Sequence, residues 1–476
     1  MTVSVEKSTA PSEPSYCFQA TIDNVGPQIV GGKGVHIDIE KDGKVYKNIL
    51  DGVTGAAVGA LGWGDEEILE IINKAAKEST YSFAPMISNK SSEKLAKFYI
   101  DHSPPGVFSS ALWLTSGSES NENAVRIIRQ YYLERGLPNK LKLISRECSY
   151  HGFTLGAQSI SSNPMVVPNE PYLMDRKNIA LKMPVAYSYR FKKDSETEEQ
   201  YAKRLLDILE KMILDNGPET VAAVIVETLP GSSLGTTPPP KGYLKGIRHL
   251  CTKYDIIFYL DEVMCGTGRC NPNGKLNCWE NFLDPSEGPD IQTVGKTLGS
   301  GFVTIAGVLI GPKIRDAFVN GSNSVFGGHT YSSHDFNCAV ALGVQQKIAR
   351  DNLTANVFEM GKLLNEKLKE SLLSTDNIAG DVRGVGGFQS VEFVKSRKTK
   401  EVFAPKDNII GRFKQVCFEN GLNIMGMPVN PDGTCGDRAL FAPSFIVTEA
   451  DIDEMVEIFV KCVNNFSKTL KQEGIW

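Results

Sequence analysis

Apolar and polar positions along the first part of the chain follow two different periods. Val35, Ile37 and Ile39 alternate with polar residues, which predicts a strand, and Val45-Tyr46 begins a second run of the same kind. Residues 65–78 instead carry apolar side chains every three or four positions. This spacing predicts an amphipathic helix with one buried face.

Further along, short apolar runs alternate with amphipathic segments. The runs predict buried strands at residues 141–145, 221–227, 256–261 and 305–310, and the segments 117–131 and 243–254 predict helices. Strands that alternate with helices form a largely parallel sheet covered by helices on both faces. The predicted fold class is therefore α/β, and ligands are expected at the carboxyl ends of the strands.

The chain is longer than a usual single domain, since it has 476 residues. Helical patterns over 338–349, 353–373 and 449–470, with a strand-like run at 388–394, predict a smaller α/β domain after the parallel sheet. The predicted division is a flexible N-terminal arm at 1–27, a large domain at 86–344, and a discontinuous small domain at 28–85 and 345–476.

Composition and charge exclude several classes of function. A hydrophobic fraction of 41% and a charged fraction of 22% are typical of a soluble globular protein. The net charge of -5 gives no electrostatic reason to expect nucleic acid or an anionic membrane as a partner. No apolar run approaches the roughly 18 residues that span a bilayer.

The lack of a recognisable targeting signal in residues 1–16 and the spacing of the cysteines predict an intracellular protein. Residues 1–16 lack an apolar core for secretion and contain Glu6 and Glu13 but no arginine, so they are a poor mitochondrial presequence. Ten cysteines form no C-x-x-C pair, and Cys265, Cys270 and Cys278 have no paired histidines. We therefore expect reduced thiols, no metal site and a cytoplasmic location.

The main candidate for chemistry is Lys296, which stands between an apolar run and the glycine-rich turn ending at Gly301. An amine at a strand end, among glycines that let the backbone approach a ligand, suits a lysine that forms a Schiff base with an aldehyde cofactor. Two phosphate-binding motifs fail here. Asp290 stands where a P-loop needs its first glycine, and Thr304 stands where a dinucleotide fingerprint needs its third.

Two other stretches support a ligand site near Lys296. Gly117 and Ser118 lie in a turn that leads into a helix, and such a helix N-terminus attracts phosphate, although an ordinary N-cap is the alternative. Glu227 and Asp261, like Lys296, close apolar runs, so a parallel sheet would bring all three to one edge. A carboxylate there could hold a pyridine nitrogen protonated; a structural salt bridge is the alternative.

From about Gly34 almost to the C-terminus, the chain resembles the class III, or ω-type, aminotransferases. These enzymes use pyridoxal 5′-phosphate and have the fold-type-I architecture. Five landmarks carry the resemblance and stand in the family's order: residues 115–122 (TSGSESNE), 149–152 (SYHG), 261–269 (DEVMCGTGR), 289–301 (PDIQTVGKTLGSG) and 328–332 (GHTYS).

The resemblance assigns a role to each matching residue. Lys296 is expected to form the Schiff base and carry the proton, while Asp261 pairs with the pyridinium nitrogen. The remaining cofactor contacts implied are Gly117 and Ser118 to the phosphate, Val263 and Tyr150 to the two ring faces, Glu227 near the phenolic oxygen, and Thr330 to the phosphate of a neighbouring subunit. The last contact implies a homodimer with active sites at its interface.

The activity implied is ping-pong transfer of an amino group from an amine, ω-amino acid or amino acid to a 2-oxo acid or aldehyde. The substrate is less well defined. Trp63 and Tyr81 are candidate pocket residues, although core or interface roles are the alternative. Leu440 stands where many relatives that bind an α-carboxylate have arginine, and Arg438 is either a replacement anchor or a surface charge. Small-molecule donors and acceptors are the expected partners.

Other functions remain open at this point. A lyase, decarboxylase or racemase could use the same cofactor and fold, because the motifs specify the cofactor better than the bond that is broken. A scaffold that has kept the fold is a further alternative. Lys296, Asp261 and Tyr150 argue against a scaffold, which does not need all three.

Overall fold

A computed structural model of the protein describes residues 4–7, 15–18, 22 and 25–476. Most of the predicted flexible arm, residues 1–27, lies outside these residues. Within it, the strand at Ser4–Lys7 pairs antiparallel with Lys44–Asp51. Among the described residues no helix combines the length and the apolar character needed to cross a membrane.

The described part of the chain contains strands and helices in the order expected of an α/β protein. The strands are β1 (Ser4–Lys7), β2 (Gln28–Lys33), β3 (His36–Lys41), β4 (Lys44–Asp51), β5 (Ser110–Leu114), β6 (Lys142–Arg146), β7 (Ala180–Met183), β8 (Val221–Glu227), β9 (Ile257–Asp261), β10 (Ile291–Val294), β11 (Ala306–Ile310), β12 (Ala379–Val385), β13 (Phe388–Phe393), β14 (Leu422–Asn423), β15 (Met425–Met427) and β16 (Asp437–Phe441).

The α-helices are α1 (Thr54–Ala57), α2 (Glu66–Glu78), α3 (Lys90–Asp101), α4 (Gly117–Glu134), α5 (Leu155–Ile160), α6 (Ser188–Phe191), α7 (Glu198–Asn216), α8 (Tyr243–Lys253), α9 (Pro312–Asn320), α10 (Asp335–Arg350), α11 (Leu353–Leu373), α12 (Ile409–Glu419) and α13 (Glu449–Gln472). Short 3-10 segments occur at Pro164–Tyr172, Pro218–Thr220, Cys278–Asn281, Pro285–Glu287, Lys296–Leu298 and Pro405–Asp407.

The central sheet has seven strands in the order β5-β11-β10-β9-β8-β6-β7. Only β11 runs against its neighbours, β10 and β5, and the other described pairings in this sheet are parallel. Strand β8 is buried at every residue, as expected for a strand covered by helices on both faces. The predicted mostly parallel α/β sheet is confirmed.

Two smaller sheets come from the two ends of the chain. One joins β1, β4, β3 and β2, and β14 pairs with β4 in parallel; the other has the order β12-β13-β16-β15. Their largest apolar cluster packs Leu50 from the N-terminal part against side chains from residues 364–470. This packing agrees with a discontinuous small domain, and the boundaries proposed above stay a prediction.

Candidate active site

A cavity of about 350 Å³ opens at the carboxyl ends of the central strands. Glu227 ends β8, Asp261 ends β9 and Lys296 follows β10, and all three line the cavity. Glu227 and Asp261 are direct partners in the register of β8 and β9. The sheet therefore brings together the two acids and the amine that stand far apart in the sequence.

Asp261 is held by four hydrogen-bond donors. Its Oδ2 contacts His151 Nδ1 at 2.8 Å and accepts from Asn121 Nδ2 at 3.1 Å. Its Oδ1 accepts from the Thr293 hydroxyl at 3.0 Å and from the Val263 amide at 3.1 Å. These four hydrogen bonds fix the carboxylate in one orientation.

Glu227 has weaker partners. Ser233 donates its hydroxyl at 2.9 Å, whereas the Arg146 guanidinium and the Tyr150 amide are both 3.4 Å from Oε2. Burial raises the pKa of Glu227, and the charge of Arg146 opposes that rise only in part. Glu227 is thus a carboxyl group poised to change its protonation or its partner.

The opposite wall of the cavity is the N-terminus of α4. Ser116 caps this helix by accepting the amide N–H of Glu119 at 3.2 Å, and the helix starts at Gly117. Gly117 is packed so closely that a Cβ there would lie 2.8 Å from Val263 Cγ1. The backbone amides at the start of a helix have no partner within it and lie at the positive end of the helix dipole, so this turn suits a phosphate.

Lys296 occupies a tight turn after β10. Its backbone is left-handed, with a φ of 49°, and it begins the 3-10 segment Lys296–Leu298. Burial lowers the pKa of its amine, and the nearby Asp261 carboxylate partly opposes that effect. A lowered pKa increases the fraction of neutral amine, which is the form that acts as a nucleophile or a base.

Comparison with known proteins identifies the family. The sequence model of the aminotransferase class-III family matches residues 20–463. The chain belongs to the class III aminotransferases. It is an enzyme that carries out transamination with pyridoxal 5′-phosphate.

Relatives and solved structures agree over nearly the whole chain. An uncharacterized aminotransferase of Schizosaccharomyces pombe is 36% identical over 98% of both chains. A diaminobutyrate–2-oxoglutarate transaminase of Halomonas elongata is 32% identical, covering 95% of this chain and 93% of its own. The ω-transaminase of Pseudomonas jessenii, solved in complex with PMP, superposes with a TM-score of 0.84 at 28% identity and covers 93% of each chain.

The cavity residues fit the cofactor of a class III aminotransferase. Lys296 supplies an amine, Asp261 a fixed carboxylate, and the start of α4 a surface for a phosphate. A side chain at Gly117 would clash with Val263, so this position keeps bare backbone at the start of α4. The donor set therefore matches an aldehyde, a pyridine nitrogen and a phosphate on one molecule.

Two predicted residues lie outside this cavity in the chain described. Thr330 and Tyr81 line a separate surface pocket, where the Tyr81 hydroxyl donates to the Thr330 carbonyl at 2.9 Å. Tyr331 and His334 lie beside them, with the Tyr81 and Tyr331 rings 5.8 Å apart. Within one chain, then, neither residue reaches the amine of Lys296.

Trp63 also lies away from the residues that line the cavity. It forms an isolated antiparallel bridge with Gly34 and is 36% exposed. A Cβ on Gly32 would come within 2.9 Å of its ring, so the indole covers the glycine-rich end of β2. Its predicted contact with substrate stays a prediction.

The position of Arg438 excludes one of its two predicted roles, that of a surface charge. The residue lies on β16 and is 1% exposed, so it is not a surface charge. Its guanidinium donates to the carbonyls of Gly436 at 3.0 Å and Pro428 at 3.4 Å, and it is not among the described residues that line the cavity. Strand β16 lies between β13 and β15, so the Arg438 side chain is buried. From its charge alone, a contact with solvent or with substrate is expected.

Several residues in or beside the cavity have no role in the sequence analysis. His151 and Asn121 stand inside two of the landmark segments, yet only the structure shows that both contact Asp261. Arg146 ends β6 and is 2% exposed, although a charged strand end usually predicts solvent. The position of His151 next to Tyr150 was the one signal in the sequence that could have drawn attention to it.

One group of residues in the described part of the chain has the composition of a metal site, namely Glu262, Cys265 and Cys278. The carboxylate of Glu262 already accepts from Thr228, Trp279, Cys278 and Gln292, at 2.7 to 3.2 Å. Four donors use the lone pairs that a metal would need. We therefore interpret this group as a buried hydrogen-bond network behind the cavity wall.

Proposed function

We propose that the cavity around Lys296 is the active site of this aminotransferase and that amines and ω-amino acids are its donors. The observation that carries the proposal is the charge of the cavity lining. Among the described residues that form it, Lys296 is the only lysine or arginine, and Glu227 and Asp261 oppose it. An α-carboxylate next to the reacting amine would meet Glu227 and no guanidinium, whereas a remote carboxylate avoids that repulsion.

The bound cofactor supplies an aldehyde that captures the donor amine and a ring that withdraws electrons. Asp261, fixed by its four donors, would hold the proton on the ring nitrogen. Gly117 and Ser118 would bind the phosphate with the helix amides and a hydroxyl, while Val263 and Tyr150 would enclose the ring. Glu227 would lie near the phenolic oxygen and help to admit the second substrate.

Lys296 performs the proton transfers in this proposal. Its buried amine would remove the proton from the donor carbon that carries nitrogen and would return it from the same Nζ, acting first as a general base and then as a general acid. Burial lowers the pKa of this amine, which favours the neutral form that accepts a proton. The carbonyl product would leave after hydrolysis, and a 2-oxo acid or aldehyde would be aminated in the second half of the cycle.

The test is an absorbance experiment on the purified holoenzyme with three donors: alanine, 4-aminobutyrate and 1-phenylethylamine. The wild type should lose its yellow lysine-bound band with the last two and release a carbonyl product, and a 2-oxo acid should restore the band. Lys296→Ala is the control and should not respond. Consumption of donor without loss of the band would favour a lyase or decarboxylase, and a preference for alanine would refute the proposed donor class.

We also propose that the enzyme is a homodimer in which Thr330 serves the neighbouring active site. Apolar side chains near Thr330 support this, since Tyr81, Phe83, Met86 and Ile87 are between 41% and 81% exposed. Such a cluster usually marks a protein interface. The Tyr81–Thr330 pocket, which lies outside the Lys296 cavity, would then be placed beside the partner's cofactor.

Mixing two inactive or weakened chains tests the shared site. A heterodimer of Lys296→Ala with Thr330→Val should recover one intact site, because the chain with Lys296 receives Thr330 from its partner. Neither homodimer has such a site. If Thr330 acts within its own chain, mixing adds no activity, and light scattering of the wild type gives the oligomeric state independently.

A cytoplasmic location is proposed as well. Nine of the ten cysteines are buried free thiols, which is typical of proteins in a reducing compartment. Cell fractionation with an antibody against the full chain tests this. Recovery in an organelle fraction would contradict it.

A further inference from the structure

The turn that carries Lys296 has an unusual backbone. Lys296 and Ser300, neither of which is glycine, both have a φ of 49°. The left-handed conformation is unfavourable for a residue with a side chain, because its Cβ crowds the following carbonyl oxygen. We call residues 295–301 the lysine turn. Its shape persists only because surrounding groups hold it.

Gln345, at the middle of α10, is one of those groups. It is fully buried, and its Nε2 donates to the carbonyls of Thr297 at 3.1 Å and Leu298 at 2.9 Å. These carbonyls belong to the two residues that directly follow Lys296. A single side-chain amide thus bridges the lysine turn from outside.

The orientation of this amide is fixed by its partners. Both neighbours are carbonyl oxygens, which only accept hydrogen bonds, so the NH2 group must face them. The Oε1 atom is buried without a partner. Burial of Oε1 without a hydrogen bond is unfavourable. The two bonds from Nε2 to the lysine turn offset the cost of burying this polar side chain.

Other contacts of the lysine turn anchor its ends. The Ser300 hydroxyl accepts the Leu61 amide at 2.9 Å, and Gly295 is packed between Ala306 and Val263. Between these ends, Gln345 contacts the carbonyls next to the reactive residue. Loss of its amide would free the segment whose conformation directs the Lys296 side chain.

We propose that Gln345 is a positioning residue, which clamps the lysine turn in its left-handed form and thereby sets the place of the Lys296 amine in the cavity. This inference rests on the proposed role of Lys296. With the clamp released, the turn relaxes and the amine gains access to water. The charged form of the lysine is then better solvated, so its amine is less often neutral.

The test compares Gln345→Met, which keeps the volume but removes both bonds, with Val344→Ala. Val344 is a buried neighbour on α10 that packs in an apolar cluster, so its truncation controls for loss of packing. In cofactor-free full-length protein, competitive acetylation followed by mass spectrometry gives the pH midpoint of Lys296 reactivity. The Gln345→Met midpoint should move towards that of a free lysine, which is about 10.4, and the Val344→Ala midpoint should not move.

The same variants separate kcat from KM in the holoenzyme. Gln345→Met should lower kcat by about tenfold for each unit by which the midpoint rises, with little change in KM. If Gln345→Met does not fold, Gln345→Asn replaces it, because the shorter side chain keeps an amide and should give a smaller shift. Equal pH midpoints of Lys296 reactivity in the Gln345 variant and in Val344→Ala would overturn the inference.

Failure of the proposed function looks different. Borohydride reduction of the wild-type holoenzyme should fix the cofactor on Lys296. If the label is found on another lysine, the role of Lys296 is refuted and the inference about Gln345 falls with it. If Lys296 is labelled and the midpoints are equal, only the clamp is refuted.

Discussion

Asp261 and Glu227 end neighbouring strands and stand opposite each other in the sheet register, yet their surroundings differ. Asp261 has four donors between 2.8 and 3.1 Å. Glu227 has one good donor, Ser233, and two contacts at 3.4 Å. The same residue chemistry at the same sheet edge therefore yields one carboxylate that is held in a single orientation and one that has a raised pKa and longer contacts.

Among the substitutions that test this difference, the largest loss of activity is expected at Asp261. Asp261→Asn keeps the shape but removes the negative charge that is proposed to pair with the ring nitrogen, and the amide cannot accept from all four donors. The rate of the donor half-reaction should fall by at least about a hundredfold, which is typical for loss of a preorganised electrostatic contact. Rapid-mixing absorbance measures this rate, and a loss below tenfold would contradict the assigned role.

A smaller effect is expected at Glu227. Glu227→Gln should change kcat by less than about tenfold, or ~1.4 kcal/mol, because the raised pKa already makes the neutral form accessible. Steady-state kinetics with both substrates checks the number. A loss as large as that of Asp261→Asn would remove the proposed distinction between the two acids.

The pH dependence of the free energy of unfolding gives a further test of the environment of Glu227. Because the folded-state pKa of Glu227 is raised, the folded protein binds more protons than the unfolded chain above the ordinary glutamate pKa. This contribution to stability is therefore greatest at low pH and is lost as pH rises through the shifted pKa. Urea unfolding should show that Glu227→Gln loses less stability than the wild type as pH rises above the ordinary glutamate pKa of about 4.3, and parallel curves would contradict the prediction.

The smallest change is expected from Ser233→Ala. It removes the hydroxyl that donates to Glu227 at 2.9 Å, so the pKa of Glu227 should rise further. One neutral hydrogen bond contributes roughly 1 kcal/mol, so kcat should change by about fivefold at most. The pH profile of kcat should shift upwards in this variant, and an unshifted profile would show that Ser233 does not influence Glu227.

Much of this fold could be predicted from patterning. The runs that became β8 and β9 are fully apolar up to an acidic last residue, and the rule for parallel sheets places such residues at one edge. Helix α2 was recognised from its period, and the structure buries Ile68 and Ala75 on one face. Helix α7 was not singled out, although Tyr201, Leu205 and Leu209 follow the same spacing.

The buried polar residues outside the cavity lining could not be predicted in the same way. Gln345 and Arg146 look like ordinary polar residues in sequence, and only tertiary packing buries them against the lysine turn and Glu227. The burial of Arg438 depends on tertiary packing in the same way, since its place on β16 turns a charged residue inwards. Its contact with a substrate carboxylate stays a prediction. Period and motif indicate what a residue can do, whereas long-range contacts decide which neighbour it meets.

The reversed strand β11 gives the site a particular order of assembly. Strands β10 and β11 pair as an antiparallel hairpin within residues 291–310, so the chain that carries Lys296 closes through contacts near in sequence. The contacts of Asp261 with Asn121 and His151 instead join residues 140 and 110 positions apart. Local contacts form early in folding and distant ones late. We therefore expect the lysine hairpin to form before the carboxylate that it faces is locked in place.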